Sequence, residues 1–317
     1  MSATLTLRLR QRTLTLQAGR PLLMGIVNCT PDSFSDRRRL ETVDERVQHG
    51  LELAAAGAAI IDVGGESGVT HRPQVGVREE LERVVPVVQR LVDHGLIVSV
   101  DTWKPEVAEA VLSAGAHLIN DVSGLYHARL ASVVAARDAG IVLMHTRAAP
   151  KTEHFPDYGG RVVADVRNVL GQLRERALQA GVRSDAIVLD PGPDFAKMPA
   201  ESVEVLRDLP ALAVHGHPLL LAVSRKYFVG TIIHREPDDR LAGTLAALGW
   251  CAERAKFSIA RVHDVREAAD YLQVRAVLDG VEEMPSIDRD DLRLQWLHDD
   301  EDDEGGDPGG SREPAVR

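Results

Sequence analysis

Residues 96–121 read LIVSVDTWKPEVAEAVLSAGAHLIND. An apolar run (96–101) ends on Asp101, an amphipathic stretch rich in Ala, Val and Glu follows (104–114), and a second apolar run (117–121) ends on Asn120 and Asp121. Runs that are apolar on both faces suit parallel strands covered by helices, so the segment spells strand, helix, strand. The unit recurs in both directions. Apolar runs lie at 22–28, 59–65, 96–101, 117–121, 141–145, 186–190, 218–224 and 259–264, with amphipathic stretches at 43–56, 77–93, 104–114, 127–138, 161–180, 200–208, 239–254 and 264–279. Eight such units predict an α/β fold of the (β/α)8 TIM-barrel type, which typically takes ~250 residues. An open doubly wound sheet is the alternative.

Upstream of the first run, residues 1–20 alternate apolar and polar, as a half-buried antiparallel β-hairpin does, and are expected to close the bottom of the barrel. Residues 21–280 form the barrel domain. Residues 281–317 turn charge-dense and Gly-rich and are predicted to be a largely disordered acidic tail. That tail carries much of the charge: residues 298–317 hold −6 of the formal −11. An acidic chain repels phosphate backbones and anionic lipid, so neither a nucleic acid nor a membrane surface is expected as partner. No stretch approaches the roughly 18 apolar residues of a membrane span. Two cysteines, Cys29 and Cys251, are too few for a disulfide framework, and a reduced, cytoplasmic setting is expected. With 44% hydrophobic residues in 317, the chain can bury a core without metals or disulfides.

In a parallel barrel the chemistry gathers where strands end. Here the ends carry Asn28, Asp62 with Glu66, Asp101, Asn120 with Asp121, His145, Asp190, Ser224-Arg225-Lys226, and Arg261 with His263 and Asp264. A carboxylate accepts two parallel N–H bonds in one plane, so Asp101, Asn120 and Asp190 suit the amino and amide edge of a flat heterocycle. Arg225, Lys226, Arg261 and His263 suit a phosphate or diphosphate. Together they read as a site for a heterocycle carrying a diphosphate. Several positions have a plainer reading of equal or greater weight. Asp62 reads equally as a helix cap, Glu66 as a loop carboxylate paired with an arginine, and His145 as a histidine satisfied by the backbone. Asp264 reads better as the N-cap of the last helix, and Cys29 as a small packing residue.

At this point the resemblance becomes specific. MGIVNCTPDSFSD (24–36), IIDVGGES (60–67), SVDT (99–102), INDVSG (119–124), LDPG (189–192), VSRK (223–226) and RVHD (261–264) resemble, in order and spacing, the motifs of the dihydropteroate synthase family. The resemblance covers about residues 22–280. It implies a Mg²⁺-assisted transferase that joins p-aminobenzoate to hydroxymethyl-dihydropterin pyrophosphate and releases pyrophosphate, working as a homodimer built from late outer helices, with Trp250, Phe257 and Tyr271 as its apolar surface. It places Asp101, Asn120 and Asp190 on the pterin edges and Lys226 on the ring's carbonyl oxygen and nitrogen. Arg261 then covers the ring and, with His263 and the metal-side Asn28, meets the pyrophosphate. Ser224 sits near the aminobenzoate carboxylate, Phe34 against the aminobenzoate ring, and Asp36 over the developing pterin cation. Asp36, Lys226, Arg261 and His263 thus make the catalytic set. Met144, Phe195 and Arg225, with Thr70, Arg72 and Pro73 of the second loop, complete the substrate contacts.

Three loops depart from the family pattern. Arg37-Arg38-Arg39 replace glycines in the first loop. Gly68 and Val69 lengthen the second before Thr70, His71, Arg72 and Pro73. After Asp190-Pro191-Gly192, where the family commonly continues with an apolar residue, Gly, Phe, Gly and Lys, this chain has Pro193, Asp194, Phe195, Ala196 and Lys197. Asp194, together with SVDTW (99–103), also resembles a second family member carried by actinobacterial genomes. The expectation is that Asp194 crowds and repels the aminobenzoate carboxylate, leaving pterin binding intact and turnover weak. The alternative function is therefore a pterin-binding paralogue with little synthase activity or with another amine as acceptor.

Overall fold

The computed structural model describes residues 3–30, 40–68 and 73–286. Its centre is a closed barrel of eight parallel strands: β3 (Leu22–Asn28), β4 (Ala58–Gly64), β5 (Val98–Asp101), β6 (Leu118–Asp121), β7 (Gly140–Met144), β8 (Ile187–Asp190), β9 (Leu219–Leu221) and β10 (Ser258–Val262), with β10 pairing back onto β3. Every apolar run of the sequence supplies one of these strands, and closure excludes the open sheet. β9 is the shortest. Its run reaches 224 in the sequence, but the chain leaves the sheet after Leu221, and Arg225 stands at φ +56° in a tight turn.

Alternation along each strand sorts the side chains. Met24, Ile60, Leu118, Val142, Val188, Leu220 and Ile259 point inward and fill the barrel, while their neighbours pack against the helices. The helices are α1 (Val43–Ala55), α2 (Val77–Asp93), α3 (Pro105–Ser113), α4 (Arg129–Ala136), α5 (Val162–Gln179), α6 (Pro199–Arg207), α7 (Tyr227–Ile233), α8 (Leu241–Arg254) and α9 (Val265–Leu278). Eight of them answer to the amphipathic stretches. α7 does not: TyrPheValGlyThrIleIle is rich in β-branched residues and has no polar stripe, so no helical period announces it.

The N-terminal hairpin, β1 (Thr4–Leu9) and β2 (Arg12–Gln17), lies outside the cycle and closes the barrel from below. Leu7, Leu9 and Leu16 are fully buried among the barrel's inward-facing side chains. The turn is fastened too. The Arg10 N–H donates to Asp138 O, and its guanidinium donates to the carbonyls of Leu112 and Ala116, each at 3.0 Å. These contacts cover the strands' N-terminal ends and leave the C-terminal mouth for the polar residues.

The chain divides into two compact units, Met1–Val274 and Arg275–Arg317. The first holds the hairpin and the barrel. In the second, the Arg275 guanidinium pairs with Asp279 at 3.2 Å, and the acidic tail expected over 281–317 lies outside the described residues from 287 onward. No helix among the described residues is long and apolar enough to cross a membrane.

Candidate active site

Four strands bring their terminal polar residues onto the floor of the mouth. Arg261 of β10 reaches across the barrel, its Nε donating to Asp62 Oδ2 on β4 at 2.7 Å and its Nη2 to Asp101 Oδ2 on β5 at 3.2 Å. Asn120 Nδ2 on β6 also donates to Asp62 Oδ2, at 3.1 Å. Asp62 is therefore not a helix cap but the central anion of the floor, wholly buried. Two acceptors are left over: Asp62 Oδ1 and Asn120 Oδ1 are buried without a hydrogen-bond partner. Such orphans are rare in native proteins, and here they face a site whose ligand would bring N–H donors. Burial, followed by the nearby Asp62 charge, pushes the Asp101 carboxyl up to about 7 against the pull of Arg261. Burial likewise raises the Asp190 carboxyl.

Asp190 ends β8, and its Oδ1 accepts from the Gly192 N–H at 2.7 Å. Gly192 is required by geometry. It has φ +64°, and a Cβ there would stand 2.2 Å from His145 O and 3.1 Å from Met144 Cγ. This close approach lays the β8 loop over the end of β7, where Met144 is buried. Phe195, on the same loop, presents its ring 4.5 Å from Lys226 Nζ and also borders Gly68 of the second loop. Lys226 is drawn below its ordinary range by burial, with Asp194 and Asp190 as the leading opposing charges.

On the other side of the mouth, Ser224 and His263 are coupled. The His263 N–H donates to Ser224 Oγ at 3.3 Å, and Ser224 Oγ lies 2.9 Å from His263 Nδ1. The hydroxyl then donates to Nδ1, which leaves Nε2–H as a donor toward the mouth. Burial first, then the Arg261 and Arg225 charges, pull His263 down to about 3, so the ring is neutral. Arg225 is committed elsewhere: it forks onto Asp264 (2.7 and 3.1 Å) and pairs with Asp238 at 3.0 Å. The Asp264 side chain, immediately before α9, is thus engaged by a guanidinium in an ion pair that ties the β9 loop to the end of β10.

Asn28 ends β3 with its Oδ1 3.9 Å from where a Gly64 Cβ would stand. Among the described residues no group of three His, Cys, Asp or Glu is placed to hold a metal ion. A magnesium ion that keeps several waters and takes substrate phosphates as ligands needs few protein donors, and the amide oxygen of Asn28 is the one this end of β3 offers. Phe34, Asp36, Arg37-Arg38-Arg39, Thr70 and Arg72 lie outside the described residues, while Pro73 is described and exposed.

Behind the floor lie groups whose pairing the sequence did not announce. His145 is held by side chains and not by backbone: Nε2 meets Asp165 Oδ2 at 2.9 Å and Nδ1 meets Lys197 Nζ at 2.7 Å. Lys197 also donates to the carbonyls of Gly192 and Phe195 at 2.8 and 3.1 Å, and burial draws its ammonium down to about 7. Glu66 pairs with lysines, not an arginine. It shares Lys104 with the buried Glu80, meets Lys151 Nζ at 3.3 Å, and accepts from the Val75 N–H at 3.1 Å, which closes the neck of the second loop. Cys29 is buried, as a packing residue would be. Asp194 is not aimed at an acceptor pocket: its carboxylate accepts from the Tyr227 N–H at 2.5 Å and the Phe228 N–H at 3.3 Å, at the start of α7.

The profile of the pterin binding enzyme family matches residues 24–263. The chain is 41% identical over 261 residues to the dihydropteroate synthase of Mycobacterium leprae (strain TN), spanning 80% of this chain and 91% of that one. It is 39% identical over 250 residues to the Bacillus subtilis (strain 168) enzyme, spanning 78% and 85%. Among solved structures it superposes on Xanthomonas albilineans dihydropteroate synthase with 4-aminobenzoic acid at TM-score 0.79 and 41% identity, covering 89% of this chain and all of that one. The same enzyme in complex with 7,8-dihydropteroate gives 0.75 and 42%, covering 88% and all of that chain.

Proposed function

The chain belongs to the pterin binding enzyme family as a transferase of the dihydropteroate synthase type, and from that premise we propose how its own residues carry the condensation of p-aminobenzoate with hydroxymethyl-dihydropterin pyrophosphate. The observation that carries the reading is the floor itself. Four strands converge on a set of acceptors, two of them buried and unpartnered, with Arg261 hydrogen-bonded among them. The pterin amino and amide edge donates to Asp190, Asn120 and Asp101. Lys226 donates to the ring's carbonyl oxygen and nitrogen, and Phe195 with Met144 excludes water from its face.

Pyrophosphate departure leaves a methylene cation conjugated with the ring, and the Asp62 carboxylate, fixed beside Asp101, stabilises positive charge without reorganising. Arg261, held by both, faces the leaving diphosphate, and the neutral His263 offers Nε2–H to it. Magnesium, when bound with the substrate beside Asn28, supplies neutralisation of the leaving group's charge. The aniline nitrogen is nucleophilic enough that positioning of the acceptor near Ser224, with the roles that the family resemblance assigns to Phe34 and Asp36, supplies much of the remaining acceleration. The Asp194 carboxylate accepts from the α7 amides, which supports p-aminobenzoate as the acceptor; another amine as acceptor stays the alternative, on the departures of the first two loops. Two cysteines, too few for a disulfide framework, support a reducing, cytoplasmic setting, and a charge of −11 speaks against nucleic-acid or anionic-membrane partners.

A homodimer is part of this reading, on a face revised from the sequence. Phe257 packs beneath the barrel with the hairpin cluster, and Tyr271 lies against Gly249. Trp250 of α8 remains exposed, with Tyr227 and Ile232 of α7. The test of function is pyrophosphate release from the pterin substrate, followed with and without p-aminobenzoate. Release that needs both substrates and magnesium supports the synthase. Release indifferent to p-aminobenzoate, or none, overturns it.

A further inference from the structure

Asp194 occupies a backbone conformation that L residues avoid, φ +67°, on the loop that leaves the pterin-facing Asp190. It is held there by a closed set of hydrogen bonds. Its N–H donates to Ser202 Oγ at 2.9 Å, and that hydroxyl returns a bond to Asp194 Oδ1 at 3.2 Å. The carboxylate then accepts the first N–H groups of α7, from Tyr227 and Phe228. α7 needs this help, because its own N-cap residue is Lys226, whose side chain makes no capping bond. The residue that would normally cap the helix is the one the site uses, so its cap comes from another loop.

We propose that Asp194 is a positioning residue for Lys226: it pins the backbone on which Lys226 turns into the mouth and stands as the counter-charge of its ammonium. Phe195, the next residue, completes the hold by placing its ring 4.5 Å from Lys226 Nζ. Asp194, Asp190 and Asp101 bear on the ammonium as anions and Arg261 as a cation, and Asp194 is the strongest of the anions. Lys197 is the further cation on the β8 loop, and it too has Lys226 and Asp194 among the charges acting on it. The β8 loop thereby governs the β9 loop, and a position where the family commonly has glycine becomes a device for keeping Lys226 charged and aimed. The inference rests on the reading of Lys226 as a pterin contact.

Two measurements test it separately. The chain has five lysines, Lys104, Lys151, Lys197, Lys226 and Lys256, so the Lys226 ammonium can be followed by NMR titration of the full chain, assigned by its loss in Lys226→Arg. Asp194→Asn keeps an acceptor for the α7 amides and removes the charge; its Lys226 is expected to titrate about one pH unit lower than in the natural protein. In steady-state kinetics Asp194→Ala is expected to raise KM for the pterin pyrophosphate about tenfold, as loss of one well-made contact would, with KM for p-aminobenzoate within about twofold. Asp194→Asn is expected to recover most of that KM below the Lys226 titration and to lose it earlier on the alkaline side. An unmoved Lys226 titration in Asp194→Asn overturns the inference. So does an Asp194→Gly enzyme whose only change is a lower KM for p-aminobenzoate, which is what an obstructing carboxylate predicts. If the natural protein binds no pterin pyrophosphate, the functional reading falls while the titration still decides Asp194. If Asp194→Ala does not fold, Asp194→Asn and Asp194→Ser carry the kinetic comparison.

Discussion

Ala196 holds its methyl at φ +51°, two residues after Asp194 at φ +67°. Both stand where the resemblance to the family put glycines, and the dihedrals say why glycine is common there. Asp194 offsets its strain through the α7 bonds, but Ala196 has no such return beyond a carbonyl that accepts from Tyr158 at 2.8 Å, and glycine would keep that bond. A left-handed L residue costs roughly 1–2 kcal/mol, less the larger entropy that glycine loses on folding. Ala196→Gly is therefore expected to stabilise the fold by about 0.5–1 kcal/mol, read as a rise in the denaturant midpoint at unchanged slope. Asp190 belongs to the same scale. Asp190→Ala leaves the pterin's donors unpaired and the Gly192 N–H without its acceptor, which should weaken pterin affinity by on the order of 1–4 kcal/mol, with Asp190→Asn milder. Calorimetry checks it; unchanged affinity in a folded Asp190→Ala would remove Asp190 from the pocket. Most floor residues were legible because each ends an apolar run in a polar side chain. Asp62 was not, because a carboxylate before a turn looks the same whether it caps a helix or anchors an arginine 199 positions away.

Elements behave as the periodicities say where a period exists. The hairpin alternates, and so its leucines have one face to bury; α7 has no stripe, and only the Asp194 bonds mark where it starts. Below the barrel, the segment joining α3 to β6 carries His117, whose Nδ1 accepts the Val98 N–H at 3.2 Å. Burial first, then Arg10 and Arg12, hold it down to about 4. The unfolded chain takes up this proton below roughly 6.5 and the folded chain only near 4, so the contribution is intact above 6.5 and is lost as pH falls through that window, at up to about 1.4 kcal/mol per pH unit. Asn at this position accepts the same N–H and cannot titrate. Urea melts at pH 7.5, 6 and 5 should show the natural protein losing ground to His117→Asn as acid is added. A constant difference between the two would place the His117 proton elsewhere.

At the scale of the molecule, the barrel turns eight local repeats into one site, and its outer helices leave Trp250, 47% exposed, beneath the guanidinium of Arg254. Light scattering is expected to give twice the 34.5 kDa of the chain, and Trp250→Glu to give the single chain with the barrel's circular dichroism unchanged. A monomeric natural protein at micromolar concentration would remove the dimer. The sequence by itself determined the (β/α)8 architecture, the hairpin beneath it, the end of the barrel that carries chemistry, and the family, because repeat length, hydrophobic period and strand-end residues are local properties of the chain. Pairing was decided only by the tertiary structure. Arg225 met Asp264, Asp194 met the first amides of α7, Glu66 met lysines in place of an arginine, and Arg261 met Asp62 and Asp101. Each of those pairs joins different strand–helix units. Which charge meets which depends on the strand order and closure that bring their ends together, and no periodicity along the chain records it.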